Sequence, residues 1–188
     1  SAFRRALLRF DVSSLPPNIV ISEVKLDMWV FKAANSTTMP HNFSLHKVNA
    51  AWGEASSNGS GNGAPAQAGD ATWGQTFYPS QNWTASGGDF QTTASASTLA
   101  AFSSIDLVKA TWSSPQMISD LEAWLLNSTS NHGWLLKGDE TTDGSAKAFI
   151  SRNMGPPFNL FIPQLTITYE TVIPAAVILN EVNSQKQW

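Results

Sequence analysis

Apolar and polar residues alternate with period two along much of the chain. From Arg5 to Val12, Ala6, Leu8, Phe10 and Val12 share one face while Arg5, Leu7, Arg9 and Asp11 share the other, the pattern of a half-buried strand. Ser13-Ser14-Leu15-Pro16-Pro17-Asn18 ends it as a turn. The clearest strand runs from Glu23 to Lys32: Val24, Leu26, Met28 and Val30 point inward, and Glu23, Lys25 and Asp27 point outward. Trp29 and Phe31 continue the outward face, where solvent contact gives no reason for aromatics. Shorter strands are predicted at Phe43 to Val48, Ser103 to Thr111, Trp134 to Lys137, Ala146 to Arg152 and Gln164 to Glu170. In the last, Leu165, Ile167 and Tyr169 oppose Thr166, Thr168 and Glu170.

One segment changes period. Ser114-Pro115 supplies an N-cap and a first-turn proline. Met117, Ile118, Leu121, Trp124 and Leu125 then form a helical stripe, predicting a helix over 115–126. Residues 53–97 are rich in Gly, Ser, Asn and Ala and carry Trp73 and Trp83. A loop of that length either wraps the core or carries function. Short strands between turns, with a single helix, imply an all-β antiparallel sandwich or jelly roll over residues 1–170. Residues 171–174 are expected to be a linker. Ala175 to Val182 is a second apolar run beyond the domain, expected to be either a donor strand or the start of a following domain.

Composition narrows the setting. Charged residues are 13% of the chain, about half the usual ~25%, and hydroxyl, amide and small residues replace them. Such surfaces suit an exported β protein. A net charge of −3 supplies no field for nucleic acid, and no apolar run is long enough for membrane insertion. Cysteine is absent, so stability rests on the core rather than on disulfides. The sequence opens on a strand without a signal peptide; an exported chain would have lost a leader or would be part of a longer protein. Asn-X-Ser/Thr sequons at Asn35, Asn42, Asn58, Asn82 and Asn127 either mark a glycosylated outer surface or follow by coincidence from the Ser- and Thr-rich composition.

The segment Arg5-Ala6-Leu7-Leu8-Arg9-Phe10-Asp11-Val12-Ser13-Ser14-Leu15-Pro16 resembles the opening of the DNRLRE (disaggregatase-related) modules. The resemblance continues in order through Val24-Lys25-Leu26, Trp52 with Glu54, Thr72-Trp73, Trp83 with Gly87-Gly88-Asp89-Phe90, and Ala123-Trp124-Leu125. It closes with residues 131–138, Phe149-Ile150-Ser151-Arg152 and Pro163-Gln164-Leu165. It implies a β-sandwich belonging to a bacterial or archaeal extracellular or cell-surface protein. One branch of the family is classed as carbohydrate-binding, with alginate as ligand; the resemblance implies no site residues. Family members carry one or two strands before the segment that begins at Arg5, and these are missing here.

Catalytic chemistry finds no support. Gly59 to Ala64 has the spacing of a dinucleotide-binding loop, but Pro65 follows and no βαβ unit surrounds it. His41, His46 and His132 lack metal-ligand spacing, and no carboxylate pair is placed for glycosidase work. The chain is therefore expected not to be an enzyme and to need no cofactor. The acidic turn at 139–144 offers Asp139 and Asp143 as Ca²⁺ ligands, or is a plain solvated turn. Of eight tryptophans, Trp52, Trp112, Trp124 and Trp134 adjoin strand and helix patterns and belong in the core. Trp29, Phe31, Trp73 and Trp83 are candidates for a ligand or partner surface, against the alternative of loop-over-sheet packing.

Two functional expectations follow. A sandwich lacking its first strands leaves an open edge, and Ala176, Val177, Ile178, Leu179 and Val182 form a spare strand. Strand donation between copies would build a head-to-tail homo-oligomer or filament. The other expectation is a carbohydrate-binding module excised from a larger secreted protein.

Overall fold

The long strand that the alternation predicts is the spine of one of two packed sheets. In a computed structural model, which describes residues 3–57 and 63–172, ten strands and one helix follow in chain order. They are β1 (Arg5–Leu8), β2 (Ile19–Ala33), β3 (His41–Lys47), β4 (Gln75–Phe77), β5 (Gln81–Asn82), β6 (Ala96–Ala100), β7 (Val108–Ser113), α1 (Pro115–Leu126), β8 (Trp134–Lys137), β9 (Lys147–Phe149) and β10 (Gln164–Thr171). One sheet has the order β1-β8-β3-β6 and the other β10-β2-β7, every pair antiparallel. β9 also pairs with β2. Val30 already pairs with Val108 of β7 and pairs with Phe149 as well, so β9 lies on the β10 side of β2. The fold is an all-β antiparallel sandwich with one short helix.

The two inner faces form a single core. Val24, Leu26, Met28 and Val30 of β2 are buried against Phe43 and Leu45 of β3, Leu136 of β8, and Ala110 and Trp112 of β7. Burial of each large aliphatic side chain is worth about 1.5–3 kcal/mol. Trp112, Trp124 and Trp134 are buried with them, the last two with rings 4.7 Å apart. The α1 stripe packs Met117, Leu121 and Trp124 into this core. Ser114 caps the helix, its Oγ accepting from the Met117 amide at 3.1 Å. Asp120, on the same helix, is 2% exposed. Its carboxylate accepts from Ser95 Oγ at 2.5 Å and Trp134 Nε1 at 2.8 Å, which satisfies a charge that would be costly to bury alone.

Several elements differ from the expectation. β2 begins at Ile19 because β10 pairs with it out to Thr171. β1 stops at Leu8, yet Phe10 and Val12 still face the core from the segment that follows. The strand expected at Ser103 to Thr111 lies at Val108–Ser113 instead. β6 falls at the end of the stretch expected to be irregular. Its inward positions are Ala96, Thr98 and Ala100, and its one large apolar residue, Leu99, faces out. Such a strand leaves almost no trace in hydrophobic periodicity.

Candidate functional site: an open cleft beside β1

The two sheets close on one side and stay open on the other. β6 and β7 lie against each other at one side of the sandwich. At the opposite side the sheets end in β1 and in β10 with β9, and among the described residues β1 pairs only with β8. Between these ends lies a cleft of about 740 Å³, and every residue from Arg5 to Asp11 lines it. Its sandwich-side wall carries Leu8, Phe10, Met28, Leu136, Phe149 and Pro163. Facing it across the plane of β1 is a second wall that includes Trp52, Ala71 and Trp73.

That second wall belongs to the long loop. Val48, Trp52, Trp83 and Leu135 form a smaller core joined by Leu7, Ala71 and Phe90. Two indoles pin the loop through the backbone: Trp52 Nε1 donates to the His132 carbonyl at 2.7 Å and Trp83 Nε1 to the Thr72 carbonyl at 2.8 Å. The Asp70 carboxylate accepts from the amides of Ala55 and Gln67 at 2.9 and 2.6 Å, closing the neck of the loop between them. Its pKa is lowered by hydrogen bonds from Ser57 and these amides. The loop is thus a layer folded over sheet β1-β8-β3-β6, and Leu7 faces it while Leu8 faces the sandwich core.

Arg5 holds β1 at the rim. Its Nε and Nη2 bind both Glu140 oxygens, at 2.7 and 2.9 Å, and Nη1 donates to the Gly87 carbonyl at 2.8 Å. The guanidinium also lies over Trp73 at 4.8 Å and Phe90 at 5.3 Å. Gly87, at φ +95, fits because a Cβ there would stand 2.4 Å from Arg5 Nη1. Hydrogen bonding from Arg5, reinforced by its charge and that of Lys137, holds the Glu140 carboxyl below its ordinary range. Across the mouth, Arg152 and Glu54 form an exposed pair at 2.9 Å.

The aromatic candidates separate. Trp73 stays 43% exposed at the cleft rim, stacked with Phe3. Trp83 is not a surface residue: it is 6% exposed within the loop layer, because its indole bridges that layer. Trp29 and Phe31 lie on the outer face of their sheet, away from the cleft. Each is half-buried there by contact with Phe161 and Phe158 respectively, from the segment before β10. This covering explains the aromatics on β2's outward face.

The Asp139 carboxylate accepts from the Thr141 amide and hydroxyl and from the Thr142 amide, which hold its pKa well down. His41 Nδ1 lies 3.6 Å from its other oxygen. Asp143 is exposed, and no three His, Asp or Glu side chains among the described residues gather as a metal would need. His46 Nδ1 donates to the Gln91 carbonyl at 2.8 Å, its Nε2 lies 2.9 Å from Ser44 Oγ, and burial lowers its pKa. Asn35, Asn42, Asn82 and Asn127 are exposed. Asn58 and the run containing Ala176, Val177, Ile178, Leu179 and Val182 lie outside the described residues.

Sequence reasoning missed the Arg5–Glu140–Gly87 clamp. Its signal was an arginine at the start of a strand that continues as Ala6-Leu7-Leu8, together with the Gly-Gly pair and the acidic turn; nothing in linear order joins the three. In comparisons with known proteins, no family model, no curated protein and no solved structure matches this chain.

Proposed function

We propose that this chain is a non-catalytic extracellular structural module that assembles head to tail, residues 175–182 of one copy entering the cleft beside β1 of the next. The observation that carries this reading is the edge of β1 opposite β8, which has no strand partner among the described residues and lies along a cleft lined by both apolar and charged side chains. Such an edge has free backbone donors and acceptors, and a strand added there gains a hydrogen-bond ladder together with burial. Lengths agree. The seven residues lining the cleft from Arg5 to Asp11 span roughly 23 Å, and the eight from Ala175 to Val182 span roughly 26 Å.

The run follows closely on β10. β10 remains paired through Thr171, and the Val172 amide donates to the Asn18 carbonyl at 2.8 Å. Pro174 follows almost at once. The low charge content, and the resemblance of residues 1–170 to DNRLRE modules, support an extracellular or cell-surface setting. Where that surface is glycosylated, the exposed sequons are its sites.

Deletion of residues 172–188 tests the proposal. The expected result is a folded monomer, less stable than the assembled protein, where the intact chain sediments as a series of oligomers or filaments. Identical monomeric sedimentation of both at high concentration would refute it and leave the run to its own domain or to a longer parent chain.

Trp73 favours a second reading, that of a carbohydrate-binding module. An exposed indole beside Arg5 and the Arg152–Glu54 pair is a stacking platform with polar neighbours of the kind a sugar ring uses. Retardation of the purified protein in an alginate-containing gel, lost in Trp73→Ala, would favour this reading over assembly.

A further inference from the structure

We infer that the cleft accepts a strand whose two faces are both apolar, so that Ile178 is buried in the neighbouring copy as well as Val177 and Leu179. The inference rests on the strand-donation reading and specifies what that site recognises.

The ground for it is the position of β1 between two apolar layers. Leu8 packs into the sandwich core and Leu7 into the loop layer with Trp52 and Leu135. A strand hydrogen-bonded to the free edge of β1 continues the same pleat, so its side chains point alternately into the same two layers. On one side they meet Met28, Phe149 and Pro163; on the other they meet Trp52, Ala71 and Trp73. Glu54, Ser57, Asp70 and Thr72 also line the loop side, so it is against Trp52, Ala71 and Trp73 that a polar side chain would lose its partners.

Strands covered on both faces read as continuous apolar runs, whereas strands with one wet face alternate. β10 is the alternating kind: Leu165 and Ile167 face in, and Gln164, Thr166 and Thr168 face out. Ala175-Ala176-Val177-Ile178-Leu179 is the continuous kind, and Asn180 and Glu181 end it. Val177 and Leu179 then occupy one wall while Ala176 and Ile178 occupy the other. The loop layer is thus half of the acceptor site, which gives the long segment between β3 and β6 a role beyond covering a sheet.

The test uses the full chain and sedimentation velocity, with thermal unfolding as the control for folding. Ile178→Asp alone, and Val177→Asp with Leu179→Asp, are each expected to weaken assembly by about tenfold or more. Ile178→Leu should assemble like the unmodified chain. Assembly unchanged in Ile178→Asp but lost in the double variant would overturn the two-faced site while leaving strand donation standing. Assembly unchanged in both variants, or a monomeric unmodified chain, would overturn strand donation and this inference with it.

Discussion

Replacing Arg5 with methionine removes the clamp at the rim of the cleft while keeping an unbranched aliphatic stem against Trp73. Two charge-assisted hydrogen bonds to Glu140 and one to the Gly87 carbonyl are lost. Breaking a buried ion pair by removing one partner costs about 3–5 kcal/mol. Here each side chain keeps 15% of its surface in solvent, and Lys137 Nζ remains 3.6 Å from Glu140 Oε2. Partial solvation and the remaining cation reduce the expected loss to about 2–4 kcal/mol. At about 2–4 °C per kcal/mol for a domain of this size, Tm should fall by roughly 4–16 °C. A double-mutant cycle with Glu140→Gln should show the two losses to be strongly non-additive, with a coupling of about 1–3 kcal/mol. Thermal unfolding monitored by near-ultraviolet circular dichroism measures both quantities. A Tm drop under about 2 °C, or strictly additive losses, would refute the clamp as the device that holds β1.

Acid should unfold the protein progressively. The pKa values of Glu140, Asp139 and Asp70 are depressed in the folded state, so their stabilisation is complete above the unfolded carboxylate values near ~4 and is lost as pH falls through the lower folded values. His46, depressed by burial, adds a contribution that fades as pH falls below about 6.5. Urea midpoints between pH 8 and pH 3 should therefore be level at the alkaline end and fall most steeply below about pH 4; a flat profile would contradict these shifts. Gly133→Ala should destabilise by about 2 kcal/mol or more, since the residue sits at φ +73 and a Cβ would meet the Leu8 carbonyl oxygen at 1.9 Å. Gly74→Ala, which meets nothing within 4 Å, should unfold at nearly the unmodified denaturant midpoint, and equal effects of the two changes would refute the close approach.

Period alone determined much of this protein. The four inward residues of β2, the helix 115–126 with its Ser114 cap, the Trp134–Lys137 strand and the alternating β10 are all local patterns, and the structure contains them. A strand or helix with one wet face writes its own orientation into its sequence. What escaped was everything set by contacts between distant segments. β6 was invisible because its inward positions are two alanines and a threonine, small residues that face β3's core side chains. Trp83 and Trp73 lie in the same loop and look alike in sequence, yet one is buried and the other is exposed at the cleft. The difference comes from which indole the folded loop turns toward Thr72. The covering of Trp29 and Phe31 depended on a segment some 130 residues away in the chain. The cleft is likewise a tertiary product, because the ends of two sheets and a folded loop must meet before β1 has a wall on either side. Linear order records the apolarity of each part but not the gap between them.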